Sequence, residues 1–205
     1  MKKSVKIIIA AVVSICVIYS AVVMSGAFVK KEPETTKPVQ CSSTDLKFDK
    51  NVELRIISCF DAELNDCTVK VYAKKITDDD SIKFLPVTDD KKMGDYTLVS
   101  ENQLSKILDM KSSNGVTTAD QIYSNSNGQV SCIVLASSDF VSSGYENNDF
   151  KSHGEFKKDI VKVKDEHGKE YALNVFTTTI PYNVYNGKNF VFFLVDKDNN
   201  KKYGM

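Results

Sequence analysis

Cysteine is the residue type whose number and spacing in this chain could support the most chemistry. Cys16 lies inside a long apolar segment, and Cys41, Cys59, Cys67 and Cys132 follow that segment. In an oxidising compartment four cysteines allow two disulfides in three connectivities. Cys59 ends one predicted strand and Cys67 begins the next, so we expect a Cys59–Cys67 disulfide. A second disulfide would then join Cys41 to Cys132.

Cys132 has two alternative interpretations. It lies in the apolar run QVSCIVLA, where a free cysteine packs as a small hydrophobic side chain. Together with His153 it could instead act as the nucleophile of an unrecognised thiol enzyme. Ser152-His153-Gly154 is followed by Glu155, however, where the S-H-G-C motif of L,D-transpeptidases carries its cysteine. We find no nucleophile elbow, phosphate loop or metalloprotease motif, and therefore predict a protein that is not an enzyme.

Metal and cofactor motifs are also absent from the sequence. No two cysteines have the C-x₂₋₄-C spacing of a zinc site. Asp196, Asp198 and Asn200 begin like a calcium-binding loop, but Lys201 stands where that loop requires glycine. We therefore interpret this stretch as a solvated turn and predict no metal or cofactor.

The N-terminal region determines the predicted location of the protein. Residues 1–6 contain three lysines, and residues 7–29 contain no charged residue. As a helix, residues 7–29 would extend about 34 Å, which is enough to cross a bilayer. We expect an uncleaved signal-anchor at 7–29 in contact with lipid, a stalk at 30–43 and a domain at 44–205.

The lysines before the span favour an N-terminus inside the cell and a C-terminal domain outside. The alternative is a signal peptide that is cut after Ala27, since Ser25-Gly26-Ala27 resembles a cleavage site. The protein would then be secreted rather than anchored in the cell membrane.

Hydrophobic periodicity predicts a β-rich domain. Val52, Leu54 and Ile56 alternate with charged residues, which is typical of a half-buried strand. The runs at 129–136 and 190–195 are apolar on both faces and predict central strands. Two further predicted strands, at 160–164 and 171–176, flank the polar run DEHGKE and suggest a hairpin.

Helical signals are few. Ser100 and Gln103 have capping-box spacing, Leu104 and Ile107 fall on one helical face, and Asn114-Gly115 would end the helix. A second short helix is predicted at 118–123. The expected fold class is therefore α+β, a mostly antiparallel β-rich domain with one or two short helices, preceded by one transmembrane helix.

Composition limits the kinds of partner. Lys+Arg and Asp+Glu number 27 each, so the net charge is zero, which argues against a nucleic-acid partner. We predict a non-catalytic, membrane-anchored bacterial protein whose outer domain binds a protein or other envelope ligand. Tyr182 and Tyr185 in the loop IPYNVYNGKN are the candidate contact residues, unless their rings fold back onto the core.

Overall fold

A computed structural model describes residues 41–88, 92–111 and 119–204 of the chain. The described residues are rich in β-strands, and every pairing between them is antiparallel. The strands are β1 (Ser42–Lys47), β2 (Val52–Asp61), β3 (Asp66–Lys75), β4 (Lys83–Phe84), β5 (Lys92–Met93), β6 (Tyr96–Gln103), β7 (Asp120–Asn125), β8 (Gln129–Ser137), β9 (Phe140–Asn147), β10 (Ser152–Glu155), β11 (Lys157–Lys164), β12 (Glu170–Pro181), β13 (Phe190–Asp196) and β14 (Lys201–Gly204).

The strands form three sheets. Sheet A has the spatial order β1-β2-β3-β6-β5, and sheet B has the order β11-β12-β8-β7-β4. Sheet C contains four strands in the order β10-β9-β13-β14. The described helices are short: α1 (Leu104–Leu108), which a 3₁₀ turn at Asp109–Lys111 follows, and α2 (Tyr182–Tyr185). The β-rich, antiparallel fold with few short helices is therefore confirmed.

Side-chain alternation explains the central strands of sheet A. Val52, Leu54 and Ile56 on β2 are buried, while the residues between them are partly exposed. Val69 and Val71 continue the same buried face on β3. The alternation that predicted these strands therefore describes one face packed on the core and one face turned to solvent.

Strand β8 is buried on both faces, as its uninterrupted apolar run predicted. All of its residues except Gln129 are buried, and it pairs with β7 and β12 in the interior of sheet B. Helix α1, the 3₁₀ turn and α2 all contact it. Because neighbouring elements cover both faces, no polar alternation is needed along this strand.

The hairpin of β11 and β12 confirms the turn signal DEHGKE. The Asp165 carboxylate accepts hydrogen bonds from the backbone N–H groups of His167 and Lys169, at 2.9 and 2.8 Å. Gly168 has φ of +77°, a conformation that costs glycine little. Asp165 and Gly168 thus fix the turn that sets the register of both strands.

The two predicted helices differ from what the structure shows. Residues Ser100–Gln103 belong to β6, and α1 begins only at Leu104 without a side-chain cap. The Ser100 hydroxyl donates to Asp120 instead of capping a helix. The first predicted helix is therefore confirmed only from Leu104 onward, and its expected end at Asn114-Gly115 lies outside the described residues. The second predicted helix is wrong, because residues 120–123 belong to β7, which pairs with β8. In both cases sheet pairing overrides a local helical signal.

The predicted membrane anchor at 7–29 and most of the stalk at 30–43 lie outside the described residues. Strand β1 begins at Ser42, within the stretch assigned to the stalk. In the part of the chain that the structure describes, no helix has the length and apolar character needed to cross a membrane.

Candidate binding site

The structure joins Cys41 to Cys59, with a Cα–Cα distance of 4.5 Å. Ser42 pairs with Ser58 across β1 and β2, so Cys41, one residue earlier, faces Cys59 directly. A Cα separation of about 4.5 Å is that of neighbours in an antiparallel pair without hydrogen bonds between them. A disulfide is therefore present, but it joins the N-terminal end of edge strand β1 to β2 within sheet A.

The predicted Cys59–Cys67 disulfide is wrong. Cys67 pairs with Phe60, whereas Cys59 pairs with Thr68. Because side chains of successive strand residues point to opposite faces, Cys59 and Cys67 lie on opposite sides of the sheet. The partner proposed for Cys41, Cys132, is likewise a free thiol.

Both free cysteines are buried. The Cys67 thiol donates to a Glu166 carboxylate oxygen at 3.3 Å, and burial together with that carboxylate raises the pKa of Cys67 to about 12. Burial, and secondarily Asp120, raises the pKa of Cys132 to about 12 as well. Since a thiolate is the reactive form of cysteine, both thiols are poor nucleophiles at neutral pH.

His153 does not share a surface with Cys132. His153 is an exposed residue of β10 in sheet C, whereas Cys132 is a fully buried residue of β8 in sheet B. A dissolved substrate that contacts the imidazole therefore has no access to the sulfur. This arrangement argues against the alternative of a thiol enzyme.

The two candidate contact tyrosines have different surroundings. Tyr182, the first residue of α2, is 52% exposed. Tyr185 is partly buried, and its ring centre lies 5.1 Å from that of Phe190. Tyr185 therefore packs on the core, and only Tyr182 presents its ring to solvent.

The clearest cavity among the described residues lies on sheet C and has a volume of about 510 Å³. Strand pairing brings its lining together: His153 on β10 faces Glu146 on β9, and Glu155 faces Gly144. On the other side of β9, Gly144 faces Phe193 of β13. Alternate residues of these three strands thus share the outer face of the sheet, which we call the sheet C face.

An aromatic ring covers Gly144 on the sheet C face. A Cβ atom at Gly144 would approach Phe193 Cζ to 2.6 Å, so the Phe193 ring extends over the glycine. Tyr203 of β14 stands next to it, with ring centres 6.0 Å apart. Gly144 thus leaves room for Phe193 to lie across β9, and Tyr203 extends the aromatic surface towards the sheet edge.

Charged groups surround the rings. Lys201 Nζ lies 4.1 Å from the Phe193 ring centre and 2.8 Å from a Glu146 carboxylate oxygen. Glu155 and Lys151 also line the cavity. The sheet C face therefore combines an apolar floor with two carboxylates and two ammonium groups.

No metal centre accompanies this face. Within the described residues, no group of three or more histidine, cysteine, aspartate or glutamate side chains could hold a metal ion. Asp196, from the calcium-like stretch, accepts hydrogen bonds from the backbone N–H groups of Asp198 and Asn200, both at 2.9 Å. Its carboxylate therefore stabilises the turn between β13 and β14 through these hydrogen bonds.

Neither the sheet C face nor the exposed ring of Phe193 was predicted from the sequence. The run FVFFLV predicted a buried strand, and Phe192 and Phe193 look alike in sequence. Phe192 is buried, whereas Phe193 is partly exposed. In the sequence, Glu146 and Gly144 alternate with Tyr145, so they are expected on the same face of a strand. Recognising that face as a binding surface also requires the pairing of β9 with β13, which the sequence does not show.

Comparisons of the chain with protein-family models, curated proteins and solved structures find no match.

Proposed function

We propose that this is a non-catalytic, membrane-anchored protein whose β-rich domain lies outside the cell and binds an envelope or surface partner. The observation that carries the proposal is the open cavity on the sheet C face, with its aromatic floor and charged rim. Concave sites with convergent polar groups are the usual places where proteins bind ligands.

Two further features support the extracytoplasmic location. The charge-free segment at 7–29 has the length of a membrane span. The Cys41–Cys59 disulfide belongs to the chemistry of oxidising compartments, because cytosolic thiols are kept reduced. Both observations are consistent with a domain that crosses the membrane during synthesis.

Photo-crosslinking in intact cells tests the binding proposal. A diazirine amino acid replaces Lys151, which lines the cavity, or Lys106, an exposed control residue on α1. We expect adducts with envelope material from position 151 and none of the same mass from position 106. Identical adducts from both positions, or none from position 151, would overturn the binding proposal.

Intact-mass measurement tests the anchor. A species that keeps residues 7–29 agrees with the proposal, whereas a mature chain beginning at Phe28 would show that the protein is released after cleavage at Ala27.

A further inference from the structure

We infer that the sheet C face binds a neutral oligosaccharide, an inference that rests on the proposed binding function and specifies its ligand. The cavity of about 510 Å³ falls within the range of about 300–1,000 Å³ that is typical of small-ligand sites. It accommodates a few linked sugar rings. Its chemistry, considered below, matches a ligand with one apolar face and many hydroxyl groups.

The floor of the cavity suits the apolar face of a sugar ring. C–H groups of a pyranose ring pack against a flat aromatic surface, which has a negative face. Gly144 leaves the space that the Phe193 ring occupies, because a Cβ atom there would clash with the ring and with the Gly154 carbonyl oxygen, at 2.6 and 2.7 Å. Tyr203, 53% exposed, offers a second ring beside it.

Lys201 partly covers Phe193 and must move when a ligand stacks on the ring. Its ammonium lies over the ring and pairs with Glu146, but the two side chains are 43% and 34% exposed. An ion pair this exposed contributes little to stability, because solvent screens it. Moving the Lys201 side chain aside is therefore inexpensive, and its ammonium can then donate to a hydroxyl group of the ligand.

The charges favour a neutral ligand. The two carboxylates of Glu146 and Glu155 are balanced by the ammonium groups of Lys151 and Lys201, so neither an anion nor a cation gains a net attraction. Hydroxyl groups both donate and accept hydrogen bonds. They can therefore use the carboxylates, the ammonium groups and the imidazole of His153 together.

Calorimetry with the full-length protein in detergent micelles tests this inference. The probes are neutral tetrasaccharides of glucose, galactose, mannose and N-acetylglucosamine, compared with the cationic glucosamine and anionic galacturonate tetramers. We expect at least one neutral probe to bind with Kd below about 1 mM, and both charged probes to bind at least about fivefold more weakly.

Three variants locate the binding. Tyr203→Ala and Phe193→Leu should each weaken binding of the neutral probe about two- to twelvefold, since an aromatic contact contributes about 0.5–1.5 kcal/mol. Phe193 lines the cavity, and Tyr203 lies beside it in contact with the Phe193 ring. Leu64→Ala is the control, because Leu64 is an apolar residue that is 49% exposed in the turn between β2 and β3 of sheet A and does not line the cavity. It should bind like the wild type. Should Phe193→Leu fail to fold, Tyr203→Ala still decides the question.

The outcomes separate this inference from the proposed function. If no neutral probe binds, or if Phe193→Leu and Tyr203→Ala both bind as tightly as Leu64→Ala, the oligosaccharide inference is wrong. If the oligosaccharide inference fails but position 151 crosslinks to a protein, the proposed binding function still holds, with a protein as the partner. If position 151 also gives no adduct, both the inference and the proposed function fail.

Discussion

At the level of single residues, Thr68 carries a polar group without a partner. Its side chain is buried, and its hydroxyl oxygen has no hydrogen-bond partner among the described residues. A buried, unsatisfied polar atom costs about 1–3 kcal/mol. We therefore expect Thr68→Val, which keeps the shape, to raise the free energy of unfolding by about 1 kcal/mol in chemical denaturation.

Thr179→Val is the comparison for this prediction, because Thr179 is an exposed threonine of β12 whose hydroxyl has a partner. The Thr179 hydroxyl forms a 3.0 Å hydrogen bond with Ser131, so its loss should lower stability by about 0.5–1.5 kcal/mol. Equal effects of the two substitutions would show that the hydroxyl of Thr68 is satisfied in solution.

Asp120 makes the stability of the protein depend on pH. Burial raises its pKa, although hydrogen bonds from Ser100 and Asn102 act in the opposite direction. A carboxyl group whose pKa is higher in the folded than in the unfolded state favours folding when protonated. Stability is therefore lost as the pH rises from the unfolded pKa, near 4, through the raised folded value.

Asp120→Asn removes this titration while it keeps an acceptor for Ser100. We expect the variant to gain stability relative to the wild type as the pH increases, by about 1.4 kcal/mol for each unit of the pKa shift. Urea denaturation of both proteins between pH 3.5 and 7 measures the difference. If the difference in unfolding free energy between the two proteins stays constant over this pH range, the pKa of Asp120 is not raised in the folded state.

At the level of elements, the Cys41–Cys59 disulfide holds edge strand β1. Every second residue of β1 is exposed, and only Leu46 contributes an apolar side chain to the core. Asp45 adds a two-bond ion pair with Arg55, at 2.6 and 2.7 Å. Because these side chains are partly exposed, the disulfide is the stronger connection between β1 and β2.

Replacing both cysteines by serine should therefore loosen β1. With a sequence separation of 18 between the cysteines, we expect a loss of roughly 3 kcal/mol and faster hydrogen exchange at β1 amides than at those of β8. Reductant should destabilise the wild type and leave Cys41→Ser/Cys59→Ser unchanged. The same β1 exchange in both proteins would show that the disulfide does not hold the strand.

Local patterns predicted some elements and not others, for physical reasons. The alternation at Val52–Ile56, the apolar run of β8 and the Asp165–Gly168 turn depend on neighbours in sequence, and the structure confirms all three. The Cys41–Cys59 pair and the position of the Phe193 ring over Gly144 depend on the register of paired strands. Register is set by packing across the whole domain, which no short segment reveals.

At the level of the whole molecule, the three sheets share one hydrophobic core. The contiguous buried cluster includes residues of sheet A such as Leu54, of sheet B such as Ile133 and of sheet C such as Leu194. Because no sheet has a core of its own, we expect a single cooperative unfolding transition. Far-ultraviolet and near-ultraviolet circular dichroism should give coincident urea curves, and two separated curves would contradict a shared core.

We propose that the β-rich domain and its sheet C face lie outside the cell, and this location can be measured. Labelling of intact cells with a membrane-impermeant amine reagent, followed by peptide mass spectrometry, tests it most directly. Lys151 is exposed beside the cavity, so the claim predicts that it is labelled in intact cells as completely as after lysis. Labelling of Lys151 only after lysis would place the domain in the cytoplasm and contradict the account.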